Sequence, residues 1–321
     1  MRLNSNSKIY VAGHRGMVGS AIVENLRKSG YSNLILASSQ EVNLMDQSVT
    51  NEFIADEKPD HIIIAAARVG GILANNQFPW QFLYDNLMIE ANLIKAAHEN
   101  NVQDLIFLGS SCIYPKLAPQ PLKEEYLLTG ALEPTNEWYA IAKIAGIKMC
   151  QALNKQFGRN YISMMPTNLY GPRDNFDLKT SHVLPAMIRK FHEAKKNGNE
   201  KVTLWGSGAP MREFLHVEDL ADSVRFLMEY EGELKYDLIN AGTGEDLTIK
   251  ALAETIQKIV NHNGKIEWDE TKPDGTPRKL MDVERLTSMG WKAKIELAEG
   301  IENTYSWFLK NIDLIKEVEI R

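Results

Sequence analysis

The sequence predicts an α/β protein in which a Rossmann-type, doubly wound parallel sheet is joined to a smaller mixed α/β domain. Three observations lead to this prediction: strand-length apolar runs alternate with helical periodicity, a glycine-rich turn follows the first run, and the pattern changes after Pro172. Alternating strands and helices are typical of a parallel sheet with helices on both faces. We expect a first domain of residues 1–172 with about 214–242, and a second of about 173–213 with 243–321.

The strands are predicted from short apolar runs, and the helices from apolar residues that recur every three or four positions. The strand-length runs lie at residues 8–12, 33–37, 61–65, 104–108, 161–165 and 201–205. Helical periodicity is present at residues 20–28, 80–99, 137–155, 180–195, 214–229 and 248–261. Thr248 is expected to cap the last of these helices, because its hydroxyl can accept a hydrogen bond from the first turn.

Composition and charge exclude several classes of protein. The chain has 321 residues, of which 44% are hydrophobic and 24% charged, as in ordinary globular enzymes. A net charge of −6 argues against a broad nucleic-acid surface, and no apolar stretch approaches the roughly 18 residues of a membrane span. Two cysteines, Cys112 and Cys150, and scattered histidines provide neither a disulfide framework nor metal-ligand spacing. We therefore expect a cytoplasmic protein that binds no nucleic acid, membrane or metal.

The segment from Gly13 to Gly19 predicts a phosphate-binding turn. Its glycines follow the spacing G-x-x-G-x-x-G directly after the first apolar run and open a helix. In that context backbone N–H groups and the positive end of the helix dipole face a pyrophosphate, which the glycines allow to approach the main chain. The residues expected to bind a dinucleotide here are Gly13, His14, Arg15, Gly16, Met17, Val18 and Gly19.

The segment between residues 109 and 143 carries the most chemically informative pattern. Two hydroxyls and a thiol, at 110–112, follow an apolar run, and Tyr139 and Lys143 lie in a helical stretch. Positions i and i+4 share one face of a helix, so the phenol and the ammonium project together. A phenol has a pKa of about 10, and a neighbouring ammonium favours its ionised form. The pattern indicates proton exchange with a carbonyl or an alcohol.

Taken in order, these motifs resemble the extended short-chain dehydrogenase/reductase family. The resemblance extends from about Lys8 to about Leu309 and rests on seven motifs. They are GHRGMVG at 13–19, AAARVGGI at 65–72, GSSCIYP at 109–115, PTNEWYAIAK at 134–143, PTNLYGPRDNF at 166–176, WGSGAPMREFLHVEDLA at 205–221 and KPDGTPRK at 272–279. Within the family they are similar to the members that epimerise and reduce GDP-4-keto-6-deoxy-mannose with NADPH. The resemblance implies an NADP-binding first domain and a substrate-binding second domain.

The resemblance also implies a role for each residue of a catalytic set. Ser110 and Tyr139 would hydrogen-bond the C4 carbonyl of the sugar, and Lys143 would hold the nicotinamide ribose. Cys112 and His182 would move protons at C3 and C5, after which Tyr139 would protonate the reduced C4 oxygen. Besides the glycine turn, the residues implied to border the cofactor are Leu108, Gly109, Ser110, Ser111, Lys143, Pro166, Thr167, Asn168, Leu169 and His182.

Four further residues are implied to bind the GDP-sugar: Lys190, Trp205, Arg212 and Asp274. Arg212 can form charge-assisted bonds with a diphosphate, and Trp205 offers a flat apolar wall. Lys190 keeps a positive charge but lacks the planar fork of an arginine.

The end of the second predicted strand indicates the cofactor. NAD-binding members usually place an acid there, whereas residues 37–40 are Ala-Ser-Ser-Gln and Arg15 lies in the glycine turn. The sequence therefore favours NADP(H).

Three alternatives stay open at this stage. A GDP-colitose-type synthase would invert C5 only, and a UDP-sugar 4-epimerase would need no net reductant and no Cys112 with His182. A non-catalytic dinucleotide sensor would be expected to lack Tyr139 or Lys143, and both are present. The resemblance also implies a homodimer, formed through helices that flank the sheet.

Overall fold

The computed structural model describes residues 3–272 and 274–315. Its strands are β1 (Ile9–Ala12), β2 (Leu34–Ile35), β3 (His61–Ile64), β4 (Asp104–Leu108), β5 (Asn160–Pro166), β6 (Asn168–Tyr170), β7 (Lys201–Trp205), β8 (Met211–Arg212), β9 (Phe214–His216), β10 (Leu238–Ala241), β11 (Leu247–Thr248), β12 (Lys265–Asp269) and β13 (Arg278–Lys279). Its helices are α1 (Met17–Lys28), α2 (Gln47–Glu57), α3 (Ile72–Gln77), α4 (Pro79–Glu99), α5 (Glu137–Phe157), α6 (Val183–Asn197), α7 (Val217–Glu229), α8 (Ile249–Val260), α9 (Glu284–Ser288) and α10 (Leu297–Asn311).

Six strands form one sheet in the order β10-β5-β4-β3-β1-β2, and every neighbouring pair is parallel. β1 and β3 are buried along their whole length, as expected for strands that are covered on both faces. After β1 the chain forms β2 on one side of β1. It then crosses to the other side of β1, where it forms β3, and the next strands continue in that direction. This reversal opens a crevice at the carboxyl ends of β1 and β3. The predicted fold class is confirmed.

Helices cover both faces of this sheet. On one face, Leu93 of α4 and Ile147 of α5 pack in a cluster with Tyr10. On the other face, α1 and α7 pack in a cluster with Ile9 and Val11. Successive strand residues point to opposite faces, which is why neighbours on β1 belong to different clusters. Each fully buried aliphatic side chain contributes roughly 1.5–3 kcal/mol, so both layers hold the sheet firmly beneath the crevice.

A third cluster of buried apolar residues lies in the segments that follow Tyr170. It unites α6, α8 and α10 and contains the fully buried rings of Phe191 and Phe308. Small sheets border it: β7 with β12, β6 with β9, and β8 between β11 and β13. α7 and β10 instead return to the first region, so the packing supports the predicted division, whose boundaries stay a prediction. Residues 1–2, 273 and 316–321 of those domains lie outside the described residues. No helix in the described residues is long and apolar enough to cross a membrane.

Several predicted boundaries differ from the structure. The helix predicted at 180–195 begins at Val183, because Thr180 is held in a turn by the Asp177 carboxylate at 2.9 Å. The helix predicted at 214–229 begins at Val217, because the three residues before it form β9 and pair with β6. The strand predicted at 33–37 shortens to β2. The prediction for Thr248 is confirmed: its hydroxyl accepts a 3.1 Å hydrogen bond from the Ala251 N–H.

Candidate active site

The glycine turn lies at the carboxyl end of β1, where the crevice opens. Gly13 has a φ of +84°, and a Cβ there would lie 2.7 Å from the backbone nitrogen of Ala66. A Cβ on Gly19 would collide with the Gly13 carbonyl, whereas one on Gly16 would make only an ordinary contact. The first and last glycines therefore close the turn against the sheet, and the middle one leaves its outer face open. Such a cradle fits a dinucleotide pyrophosphate.

The helix that leaves this turn also fits an anion. Gly16 is the N-cap of α1, and no side chain caps it or places an acid in the first turn. The backbone N–H groups at this end, with the positive end of the helix dipole, are therefore free to bind a phosphate. Met17 and Val18 begin the helix at the rim, and Arg15 is exposed beside them.

The end of β2 holds an acid that sequence analysis did not assign to it. Glu41 folds back so that its carboxylate accepts hydrogen bonds from the Ser38 N–H at 2.7 Å and the Ser38 hydroxyl at 2.6 Å. These bonds lower the pKa of Glu41, and the Arg15 charge lowers it further. Burial, followed by the Arg15 charge, lowers the pKa of the neighbouring His14. The Glu41 carboxylate is thus engaged in hydrogen bonds with Ser38, whereas the Arg15 guanidinium is exposed at the surface of the turn.

The hydroxyls and the thiol after β4 are placed by a sharp turn. The strand ends at Leu108, and the Gly109 N–H donates to the Met164 carbonyl of β5 at 2.8 Å. A 3-10 turn follows at Ser111–Ile113, and the Ser110 hydroxyl accepts a 3.3 Å hydrogen bond from the Cys112 N–H. Ser111 therefore lies in a turn and not on a strand, because the chain has already left β4.

Tyr139 and Lys143 lie on the first turns of α5, as the spacing predicts. The Lys143 ammonium is 5.7 Å from the centroid of the Tyr139 ring and 4.6 Å from that of Phe107. Its side chain is 2% exposed, and its Nζ lies 3.6 Å from a carboxylate oxygen of Glu90 on α4. The phenol and the ammonium therefore share one pocket with a buried acid.

The pKa of Tyr139 is raised in the structure, although a neighbouring ammonium by itself favours the phenolate. Burial holds the pKa of this phenol well above 10, and the neighbouring Cys112 and Glu90 raise it further. Burial also lowers the pKa of Lys143, although Glu90 partly restores it. Tyr139 is thus a protonated phenol at neutral pH, which is the form that can donate a proton.

Cys112 and His182 meet a common cation, Lys279 of β13. Burial raises the pKa of the Cys112 thiol, and the Lys279 charge opposes this effect. The protein atoms around His182, together with Lys279, lower the pKa of the imidazole, which sits at the N-cap of α6. At neutral pH the thiol therefore holds its proton and the imidazole is neutral.

The segment 166–169 lies at the carboxyl end of β5, beside the end of β4. The side chains of Thr167 and Asn168 both donate to the Glu213 carbonyl, at 3.3 Å and 2.8 Å. Leu169 packs against the cluster that contains β1. These contacts fix the segment next to Ser110, where the resemblance places the cofactor.

The four residues implied to bind the GDP-sugar come together at the ends of β7 and β8. Trp205 is 58% exposed, and the Lys190 ammonium lies 5.7 Å from its ring centroid. The Asp274 carboxylate accepts the Ser207 N–H at 2.7 Å and the Ser207 hydroxyl at 2.8 Å. Arg212, whose pKa burial lowers and Asp274 raises, lies beside this loop. The Asp274 carboxylate therefore links the loop that precedes β13 to the loop that follows β7.

A small cavity of about 50 Å³ lies beside the turn that follows β4. Its wall includes Cys112 and Lys279, and it is closed by backbone pairing between distant segments. The Leu122 N–H donates to the Leu280 carbonyl at 2.7 Å, and the Asp282 N–H donates to the Leu122 carbonyl at 2.9 Å. A larger, open depression of about 770 Å³ lies around the start of β3 and β4. Ligands of parallel sheets bind at the opposite, carboxyl edge, so we assign the site to the smaller cavity.

Sequence analysis missed two charged residues of this site, Glu90 and Lys279. Both are ordinary residue types in a helix and in a short strand, and their importance depends on tertiary packing. A signal for Glu90 was its position among the mostly apolar residues at which α4 faces the protein interior. Lys279 lies within the last recognised motif but has no spacing rule of its own.

The fold and the site together define a dinucleotide-dependent oxidoreductase of the short-chain type. The family model described as "NAD dependent epimerase/dehydratase family" matches residues 9–242. The chain belongs to this family.

Three known proteins give the comparison more detail. GDP-L-fucose synthase 1 of Arabidopsis thaliana is 56% identical over 309 residues, which cover 96% of this chain and 95% of that protein. GDP-L-colitose synthase of Yersinia pseudotuberculosis is 40% identical, over 95% of this chain and 100% of that protein. The solved structure of a GDP-mannoheptose C4 reductase from Campylobacter jejuni, with NADP bound, is 40% identical with a TM-score of 0.87, and the match covers 96% and 99% of the two chains.

Proposed function

We propose that this protein converts GDP-4-keto-6-deoxy-D-mannose to GDP-L-fucose, by epimerisation at C3 and C5 followed by NADPH-dependent reduction at C4. The observation that supports the proposal is that Tyr139, which lies beside Lys143, interacts with Cys112, and that Lys279 interacts with both Cys112 and His182. The 56% identity to a GDP-L-fucose synthase over nearly the whole chain supports the same substrate.

Epimerisation is assigned to Cys112 and His182. Protons at C3 and C5 are acidic because they flank the C4 carbonyl, and inversion requires removal from one face and return to the other. A neutral imidazole can accept the first proton to give an enolate. A protonated thiol can return a proton to the opposite face, after which the two groups exchange their protons through solvent. The Lys279 charge lies where it would stabilise the enolate oxygen and the thiolate.

Reduction is assigned to Ser110 and Tyr139. Both hydroxyls would hydrogen-bond the C4 carbonyl, and Tyr139 would give its proton to the C4 oxygen as the alcohol forms. NADPH supplies the hydride when it is bound. Lys143 would orient the nicotinamide ribose, and residues 13–19 with 166–169 would hold the remainder of the cofactor. The cofactor is NADP(H), as in the C4 reductase of similar fold.

The GDP moiety is assigned to the cluster around Trp205. The exposed indole can stack on a base or sugar, and the cations of Lys190 and Arg212 can pair with the diphosphate. Asp274 would position this loop through Ser207. This arrangement provides local positive charge on a chain whose net charge is −6.

The surface also supports a homodimer. Two aromatic side chains on α4, Trp80 and Tyr84, are 64% and 39% exposed and stack at 4.8 Å. Trp138 and Ile141 on α5 are 38% and 42% exposed. Pairing of these two helices with those of a second copy would bury this apolar surface. Free thiols at both cysteines and the use of NADPH favour a cytoplasmic location, with no nucleic-acid or membrane partner.

One reaction tests the proposal. Purified protein is mixed in deuterated water with NADPH and GDP-4-keto-6-deoxy-D-mannose, while NADPH absorbance and the sugar NMR spectrum are followed. We expect one NADPH oxidised per sugar and deuterium at both C3 and C5. Deuterium at C5 alone would indicate the colitose-type reaction, and epimerisation of UDP-glucose without net NADPH oxidation would indicate a 4-epimerase. Neither oxidation nor exchange would refute an enzymatic role.

A further inference from the structure

A buried acid lies against the lysine of the catalytic pair. Glu90 of α4 and Lys143 of α5 each have side chains 2% exposed, and Nζ is 3.6 Å from the nearer carboxylate oxygen. That distance gives an ionic contact longer than a hydrogen bond, and neither oxygen accepts a hydrogen bond from another described residue. A carboxylate without hydrogen bonds in such a place is costly, since its solvation is lost.

The helix that carries the catalytic pair is shaped to admit this acid. Gly146 lies within α5, where glycine costs about 1 kcal/mol relative to alanine. A Cβ at this position would lie 3.0 Å from the carboxyl carbon of Glu90 and 2.6 Å from the Phe107 ring. The glycine therefore provides the space in which Glu90 approaches Lys143. The side chain of Glu90 and the space left by Gly146 together thus make the buried contact with Lys143 possible.

Among the described residues, the ionisable groups that interact with Glu90 lie on α5. They are Lys143, Tyr139 and Cys150, each of which has an electrostatic interaction with Glu90. Cys112 of the turn after β4 lies farther along the same pocket and interacts with Tyr139 and Lys143. On the β4 side the neighbour is the Phe107 ring, which carries no charge. Burial is the largest influence on the pKa of Tyr139, and Glu90 adds to it as the negative charge that faces the Lys143 ammonium.

We infer that Glu90 is a positioning residue that offsets the charge of Lys143 and thereby keeps the Tyr139 hydroxyl protonated for reduction at C4. A lone ammonium beside the phenol would favour the phenolate, which suits the removal of a proton from an alcohol. Reduction of a ketone needs the opposite form, because the phenol must donate. Burial raises the pKa of Glu90 to about 7, so the carboxylate is charged throughout the alkaline range in which the phenol would lose its proton. The inference rests on the proposed reduction.

The test compares three variants of the full chain. Glu90→Gln removes the charge at constant size, and Glu90→Asp keeps the charge. Asn92→Ala perturbs the same helix without a change of charge, because it removes a 2.9 Å bond to the Leu44 carbonyl. In each protein the pH dependence of kcat and of KM is measured for NADPH-dependent reduction of the GDP-4-keto sugar.

We expect Glu90→Gln to move the alkaline limb of kcat to lower pH, with about a tenfold larger fraction of phenolate at a given pH, or about 1.4 kcal/mol. KM for the sugar should stay constant, Glu90→Asp should retain the limb of the parent, and Asn92→Ala should lower stability without moving it. An unmoved limb in Glu90→Gln overturns the inference. Should that variant not fold, Glu90→Met provides a second neutral side chain of similar length.

A second readout needs neither substrate nor turnover. In protein labelled with carbon-13 at the tyrosine Cζ, the Tyr139 resonance is assigned by its loss in Tyr139→Phe. The parent resonance should stay at its protonated position up to pH 10, and that of Glu90→Gln should move toward the phenolate. No movement would refute the charge balance. This result is independent of whether the sugar is the correct substrate, so failure of the proposed function is distinguishable.

Discussion

Replacement of Tyr139 by phenylalanine should abolish reduction while leaving the protein folded. The ring makes an edge-on contact with Phe82 at 6.4 Å and lies below the Lys143 ammonium, and phenylalanine preserves both contacts. The hydroxyl has no hydrogen-bond partner among the described residues, so its removal leaves no buried group without a hydrogen bond that it had before. The free energy of unfolding should therefore change by less than about 0.5 kcal/mol.

The catalytic effect should be much larger. A positioned general acid contributes about 10²- to 10⁴-fold, which corresponds to about 3–5 kcal/mol of transition-state stabilisation. Single-turnover oxidation of NADPH should slow by that factor in Tyr139→Phe, whereas deuterium exchange at C3 and C5 should persist, because it depends on Cys112 and His182. Tyr230→Phe, at the end of α7, is the matched control and should reduce normally. Reduction by Tyr139→Phe within tenfold of the parent rate would refute the assignment.

Three further predictions concern other parts of the site. His182 must be neutral to accept a proton and its pKa is lowered, so deuterium exchange should stay constant on acidification until the pH is below 6.5; a midpoint above 6.5 would contradict its role as base. Gly13→Ala should weaken NADPH binding at least tenfold in a fluorescence titration, while Gly30→Ala, which has a similar φ of +93° but nothing within 4 Å, should bind normally; equal effects would exclude the close approach to Ala66 as the cause. Trp205→Ala should raise KM for the GDP-sugar about tenfold, or about 1.4 kcal/mol, with little effect on kcat; a change confined to kcat would place the indole elsewhere.

The parts of the molecule that sequence analysis predicted are those defined by local spacing. The G-x-x-G-x-x-G turn needs only a preceding strand and a following helix, and both are adjacent in the chain. Tyr139 and Lys143 lie four residues apart on α5, and a helix necessarily puts such residues on one face. The alternation of apolar runs with helical stretches likewise gave the parallel sheet, because buried parallel strands are nearly continuous apolar segments.

The parts that could not be predicted depend on burial and on contacts between distant segments. The pKa of Tyr139 follows from its enclosure by neighbouring elements, which spacing does not reveal, and the effect outweighs that of the adjacent ammonium. Glu90 reaches Lys143 only because α4 and α5 pack together, and Lys279 reaches Cys112 only because β13 pairs beside β8. The 3-10 turn at Ser111–Ile113 was not predicted either, because it depends on a hydrogen bond between the Ser110 hydroxyl and the Cys112 N–H, which no residue spacing indicates.

The pairing of Leu122 with Leu280 and Asp282 has a consequence for the order in which parts of the site form during folding. This pairing joins segments distant in sequence, and the Gln120 side chain adds a bond to the Leu280 N–H across 160 positions. Contacts at such separation form late in folding, because a long loop must close before they contribute. We expect refolding chains to regain their helices and central sheet before the Cys112 cavity acquires its wall. We therefore expect the enclosure in which the proposed proton transfers would take place to be among the last parts of the protein to assemble.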